Sequence, residues 1–234
     1  LQETGRFDPT IYAAYQVAPS REAALEDVIG KPFEPMRGAS MNRGYTRDAV
    51  WFRIQPPGGP WVLEVQAPLL DHVDLYTPDE YGGYWKDMNG DALPFHARGI
   101  HYRHPVFSMS EDIRQPVYLR IQTDGPMQIP LRMWRPDAFD KHVNLAEFAN
   151  GMYFGIMLIM VAYNLFLYLV VRDANYLNYV FYIGVFIFSQ AALSGYGLQY
   201  LWPDSTWLAN HIQAFLVGLL IFAGARFTHE FLDI

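Results

Sequence analysis

Five residues in the first half of the chain pair aromatic rings with cationic or imidazole groups: Tyr84, Trp85, Arg98, His101 and Tyr102. Sugar rings present apolar C–H faces that stack on exposed aromatics, and an arginine fork beside them takes a carboxylate in bidentate fashion. Gathered together, the five would form a pocket for a carbohydrate-like ligand or a small anion. Taken singly, each is also an ordinary core or edge residue of a β domain, as Trp51 is. Arg53, Arg98 and Arg120 offer the same choice between an anionic ligand and a neighbouring carboxylate such as Glu64 or Asp91.

The run Asp87-Met88-Asn89-Gly90-Asp91 sets oxygen ligands at alternate positions, as the start of a Ca²⁺ loop does. Its glycine is misplaced for an EF-hand, and no Glu follows at the twelfth position. Asn-Gly between strands is also the strongest short hairpin signal. Asp87, Asn89 and Asp91 are therefore a weak metal candidate set against a plain turn. No HExxH, GxSxG, P-loop or GxGxxG occurs, and the carboxylates are scattered over loops, so no catalytic residue and no cofactor is predicted. The absence of cysteine removes disulfides, thiolate metal sites and cysteine nucleophiles.

The elements that must hold these residues divide by charge. The first 147 residues carry 35 charges with a net of −5, which leaves no electrostatic footprint for nucleic acid. From 148 to 225 only Arg172, Asp173 and Asp204 are charged, cutting that window into stretches of 24, 30 and 21 residues. About 18 apolar residues suffice to cross a hydrocarbon core. The sequence thus predicts membrane spans at 151–171, 176–198 and 207–225, preceded by a connecting helix over 138–150. Arg172 and Arg226 fall on one side and no cation on the other, so the positive-inside rule turns residues 1–137 and the Trp202–Trp207 connection outward. Asn164, Gln190, Gln199 and His211 are polar at or near bilayer depth, and serve either helix packing or a signal relay.

Before the spans, period-two alternation predicts strands. Val50, Phe52 and Ile54 alternate with Trp51, Arg53 and Gln55; Val117, Leu119 and Ile121 repeat the scheme, as do Ile129, Leu131 and Met133. Further strands are expected at 61–66, 72–76, 84–88 and 104–109, with turns at Pro56-Pro57-Gly58-Gly59, Asn89-Gly90 and Asp124-Gly125-Pro126. Ser20 is expected to cap a short helix over 21–28 that Gly30 ends. Eight or so short strands with no alternating helices read as an antiparallel β-sandwich over 1–137.

Several motifs in this order are similar to one bacterial family. Asn42-Arg43-Gly44-Tyr45 leads to Val50-Trp51-Phe52-Arg53; Val73-Asp74-Leu75-Tyr76, Gly90-Asp91-Ala92-Leu93-Pro94-Phe95 and Val117-Tyr118-Leu119-Arg120 follow. In the apolar half come Tyr153-Phe154-Gly155-Ile156, Tyr163-Asn164-Leu165-Phe166, Arg172-Asp173 and Tyr200-Leu201-Trp202-Pro203. This resembles the seven-transmembrane receptors with diverse intracellular signalling modules. The resemblance implies an all-β jelly-roll sensor domain related to carbohydrate-binding modules, followed by α-helical transmembrane segments of which 151–234 are the first three.

It further implies an inner-membrane receptor whose periplasmic domain binds a small molecule or carbohydrate, embedded in the lipid bilayer as a homodimer. The signal would pass to a cytoplasmic histidine kinase or diguanylate cyclase, in two-component or cyclic-di-GMP signalling. The chain starts without Met and stops just past a third span, so further helices and an output domain are expected beyond it. The alternative is a membrane-anchored carbohydrate-binding or cell-envelope module without signalling.

Overall fold

The computed structural model describes residues 5–18 and 20–231. Eleven strands make two antiparallel sheets. The first contains β1 (Arg6–Phe7), β4 (Ser40–Tyr45), β6 (Trp61–Val65), β9 (Val106–Met109) and β11 (Pro126–Trp134), in the order β1-β11-β6-β9, with β4 also on β11. The second runs β3 (Glu34–Pro35), β2 (Ala13–Val17), β5 (Val50–Ile54), β10 (Val117–Gln122), β7 (His72–Pro78), β8 (Tyr84–Asn89). Two short helical turns, α1 (Pro9–Tyr12) and α2 (Glu26–Ile29), sit among them.

The predicted alternation is the packing. Leu119 lies opposite Phe52 on one side and Leu75 on the other, and all three point into the core. From the first sheet Trp61, Leu63, Val65, Ile129, Leu131 and Met133 meet them. Each such side chain contributes about 1.5–3 kcal/mol by leaving water. The other face of the second sheet carries Trp51 and Tyr118, roofed by Ala18, Ala23, Leu25 and Val28. Trp51 is thus packed in an outer cluster rather than between the sheets.

Two local expectations are corrected. The helix near residue 21 is only α2; Leu25 is its N-cap, and Ser20 contributes no side-chain cap bond. Asp27 instead turns back to accept the Ala24 N–H at 2.9 Å, so a carboxylate within the turn does the work expected of Ser20. Asn89-Gly90 is not a hairpin either. The β7–β8 turn is closed by Asp79, which accepts the Tyr81 and Gly83 N–H groups at 2.9 and 2.7 Å. Asn89 instead ends β8, and Gly90 has φ +130° because its backbone passes Asp71, whose carbonyl oxygen would lie 2.1 Å from any Cβ there.

Three helices follow, each long and apolar enough to cross a membrane: α3 (Pro136–Val171), α4 (Ala174–Leu193) and α5 (Thr206–Phe231). At about 1.5 Å per residue α3 exceeds a ~30 Å hydrocarbon core, and the residues expected as a connecting helix, 138–150, lie in its first turns, continuous with the span. Arg172 ends it in the left-handed conformation (φ 59°), and Asp173 caps α4 by accepting from Asn175 N at 2.9 Å. The second helix stops at Leu193, short of 198. Ser194 Oγ bonds back to the Gln190 carbonyl at 2.6 Å, and Gly195 adopts φ +83° where a Cβ would strike Pro68 and Arg103 of the sandwich. The chain turns because it meets the domain above it, then makes a π-helical turn, Gly197–Leu201, before α5.

Candidate functional site

The outer face of the first sheet is covered by the first turns of α3 and by the loop 90–105, and its centre is a charge. Glu64 on β6 is fully buried. A buried carboxylate is tolerated only when its lone pairs are used, and here His104 Nδ1 lies 2.7 Å from Oε1 while Trp134 Nε1 and Gln66 Nε2 donate to Oε2 at 2.9 and 3.1 Å. Burial pushes the Glu64 carboxyl up, but His104, the Trp134 indole and the His142 imidazole together hold it below its ordinary value. His142 of α3 stacks on Trp134 at 4.5 Å, so the helix rests on the ring that the carboxylate positions.

Beside this cluster the loop reaches the helices. Tyr102 meets His104 and Phe139 edge-on, at 5.3 and 5.9 Å between ring centroids. Arg103 lies over Tyr102 at 5.7 Å and over Tyr196, in the α4–α5 connection, at 5.1 Å. Its Nε is 4.0 Å from Glu147 of α3. Farther along, the Phe95 N–H donates to the Pro203 carbonyl at 2.8 Å, and His96 Nδ1 is 2.9 Å from Asp204 Oδ1. The sandwich is therefore fastened to both α3 and the α4–α5 turn. Between α3 and α4, a cavity of about 600 Å³ opens beneath Glu147, Asn150, Phe154 and Tyr196.

The five ring-and-cation residues do not share a pocket. Arg98 is buried, and its guanidinium donates to the carbonyls of Tyr102, Arg103 and Gly90 at 3.1, 3.3 and 3.0 Å. Burial lowers its pKa to about 10 against the opposing charge of Asp91. It clamps the loop, since its fork is spent on backbone. His101 stacks on Phe95 at 5.7 Å, and Tyr102 is enclosed at the junction. Tyr84 and Trp85 lie at the opposite end of β8, Tyr84 opposite Pro78 and Asn89 opposite Val73, a separation of about 17 Å along the strand. Tyr84 packs edge-on to Tyr118, and Trp85 is 72% exposed.

Arg120 pairs with Asp74 at 3.2 Å and also contacts Gln122, rather than Glu64 or Asp91; Lys86 shares Asp74 at 3.0 Å. Arg53 lies over Phe33 at 5.1 Å. Asp87, Asn89 and Asp91 do not converge: Asn89 Oδ1 takes the Gly90 N–H and Asp91 is buried below the strand end. Among the described residues no group of three or more metal-binding side chains assembles.

The membrane polar residues are likewise dispersed. Asn164 donates to the Met160 carbonyl of its own helix at 2.9 Å. Gln190 supplies the carbonyl that Ser194 uses. His211 is exposed, stacked on Trp207 at 4.8 Å. Gln199 lies in the π turn near the junction, with a buried Oε1 that has no partner. Glu64 entered the sequence reading only as an arginine partner, and His104, Arg103, Glu147 and Tyr196 did not enter it as site residues. Only Glu64 carried a local signal, a charge set inside an otherwise apolar strand, Trp61–Val65; the other four carried none.

Comparison with known proteins bears on this arrangement. Residues 11–135 match the family model described as 7TMR-DISM extracellular 2, and residues 146–234 match the model described as 7TM diverse intracellular signalling. No curated protein matches the chain. An extracellular sensor sandwich, fastened to three membrane-type helices and matched over more than half the chain by the first model, makes this protein a member of the 7TMR-DISM receptor family.

Proposed function

We propose that the protein is the sensory part of a bacterial inner-membrane signalling receptor. Its periplasmic sandwich binds a small ligand, carbohydrate-like or anionic, and passes the event through the helices, as a homodimer, to a cytoplasmic histidine kinase or diguanylate cyclase. The observation that carries this reading is the double attachment of one loop: Arg103 touches both Glu147 of α3 and Tyr196 before α5. A ligand that favours one setting of that loop also favours one setting of the helices, which is all a two-state receptor requires.

The chain has no cysteine, so a disulfide trap reports cleanly. With His96→Cys and Asp204→Cys in the full chain in lipid nanodiscs, a bound ligand is expected to change the cross-linking rate several-fold. A ligand that binds and leaves the rate unchanged favours the membrane-anchored binding module and overturns the receptor reading.

A further inference from the structure

We propose that the sandwich takes its ligand in the loop cavity bounded by Arg21, Tyr45, Thr46, Arg47 and Asp124, and that the ligand is a small organic anion held by its carboxylate. This rests on the receptor reading above and names the ligand class for it.

The cavity measures about 490 Å³, within the roughly 300–1,000 Å³ of small-molecule sites. Three separate loops supply it: the segment after β2, the β4–β5 connection and the β10–β11 turn. Loops carried by a rigid sheet are where binding residues collect. Its chemistry is one-sided. Arg21 places Nη1 and Nη2 on Asp124 at 2.7 and 3.3 Å, whereas Arg47 makes no hydrogen bond or ion pair among the described residues. Two guanidinium groups against one carboxylate leave the lining one positive charge, which suits a monoanion. The Arg21–Asp124 pair is solvent-exposed, with side chains 42% and 65% accessible, so it can open without a large cost. A carboxylate can then take the Arg47 fork bidentately, beside the exposed Tyr45 phenol.

The cavity is also tied to the helices. Asp71 Oδ2 accepts the Asp124 N–H at 2.6 Å and the Thr123 hydroxyl at 2.8 Å. The Asp71 carbonyl accepts from Ala92 N at 3.2 Å, and the Leu70 carbonyl accepts from Asp91 N at 2.9 Å. Asp91 in turn lines a small void with Gly195, Trp202 and Gln213 of the membrane half. The turn that carries Asp124 is thus bonded to the residue next to the junction. A ligand that draws Arg21 from Asp124 acts on Asp71, and through its main chain on the seat of the α4–α5 connection.

Sodium glucuronate is a suitable probe, with glucose as its neutral counterpart, titrated by calorimetry into the full chain in nanodiscs. Saturable binding of glucuronate and none of glucose is expected. Arg47→Gln should weaken it at least tenfold, and Arg114→Gln, on a different loop, should leave it unchanged. Asp71→Ala, which removes the oxygen that accepts from both Thr123 and Asp124, should retain binding but abolish the ligand response of the His96→Cys/Asp204→Cys cross-link. No glucuronate binding, equal binding of glucose, or binding indifferent to Arg47→Gln overturns the cavity assignment and leaves the receptor reading standing. Glucuronate binding that is lost with Arg47 but never alters the cross-link upholds the site and overturns the receptor reading.

Discussion

Glu64 and Trp134 are joined by a 2.9 Å hydrogen bond from the indole N–H to the carboxylate, across neighbouring strands of the first sheet. Trp134 is the last residue of β11, two positions before α3 begins. The start of the first membrane helix is therefore anchored to a buried charge in the sensor sheet.

Breaking that anchor should be costly. Glu64→Ala leaves the Trp134 N–H, the Gln66 amide and His104 without their acceptor, and with each unmet buried group costing about 1–3 kcal/mol the total loss should be about 3–5 kcal/mol. Glu64→Gln keeps an oxygen for Trp134 and should cost about 1–3 kcal/mol. Denaturant unfolding of the two variants at neutral pH ranks them. In the wild type the folded Glu64 carboxyl releases its proton more readily than the unfolded one. Its contribution is therefore present above the ordinary glutamate value of 4.5 and is lost as pH falls through the lower folded value. Glu64→Gln should flatten this acid limb.

Asp91 should act with the opposite sign. Burial, then the charge of Asp71, raise its carboxyl from 3.8 to about 7. The folded state holds a proton that the unfolded state has released, so stability falls as pH rises from about 4 to about 7 and is level above. Asp91 Oδ1 and Gln213 Oε1 are both buried acceptors without a partner on the same void. Asp91→Asn removes the charge and supplies a donor. It should be more stable than wild type by about 1–3 kcal/mol at pH 8, with the difference vanishing near pH 4. Unfolding midpoints at the two pH values decide it.

Arg103→Ala should loosen the junction more than the sandwich. A cation over an aromatic face contributes about 0.5–2 kcal/mol, and Arg103 serves Tyr102 and Tyr196 together. Amide exchange across residues 194–205 should accelerate about tenfold, while exchange in the core strands stays as it was.

Gly90→Ala tests a close approach. With φ +130° and the Asp71 carbonyl in the way, the substitution should destabilise by about 2–4 kcal/mol. Gly44→Ala meets no neighbour at φ +62° and should cost only about 1 kcal/mol, as backbone strain alone. Thermal unfolding of the pair separates steric contact from conformation.

Trp85→Ala should change stability by less than about 0.5 kcal/mol, because the ring is largely exposed on the edge strand β8. It should also leave glucuronate binding intact, since Trp85 lies outside the Arg21–Arg47 cavity.

The sequence by itself determined the two-part architecture. Alternation placed Val50, Phe52 and Ile54, and Val117, Leu119 and Ile121, on core faces, because a strand's period of two is a local property of the backbone. The charge-poor window located the membrane helices for a similar reason: hydropathy is summed over contiguous residues. The junction had no such local signature. Glu64, His104, Trp134 and His142 come from four separate elements, and a buried carboxylate is recognisable only once its donors have been brought to it. For Arg98 and Tyr102, composition suggested ligand chemistry, and the fold turned them inward, because the loop 90–105 needed donors for its carbonyls and the seam with α3 needed a ring. Even the end of α4 was decided from outside the helix, by the sandwich that Gly195 meets.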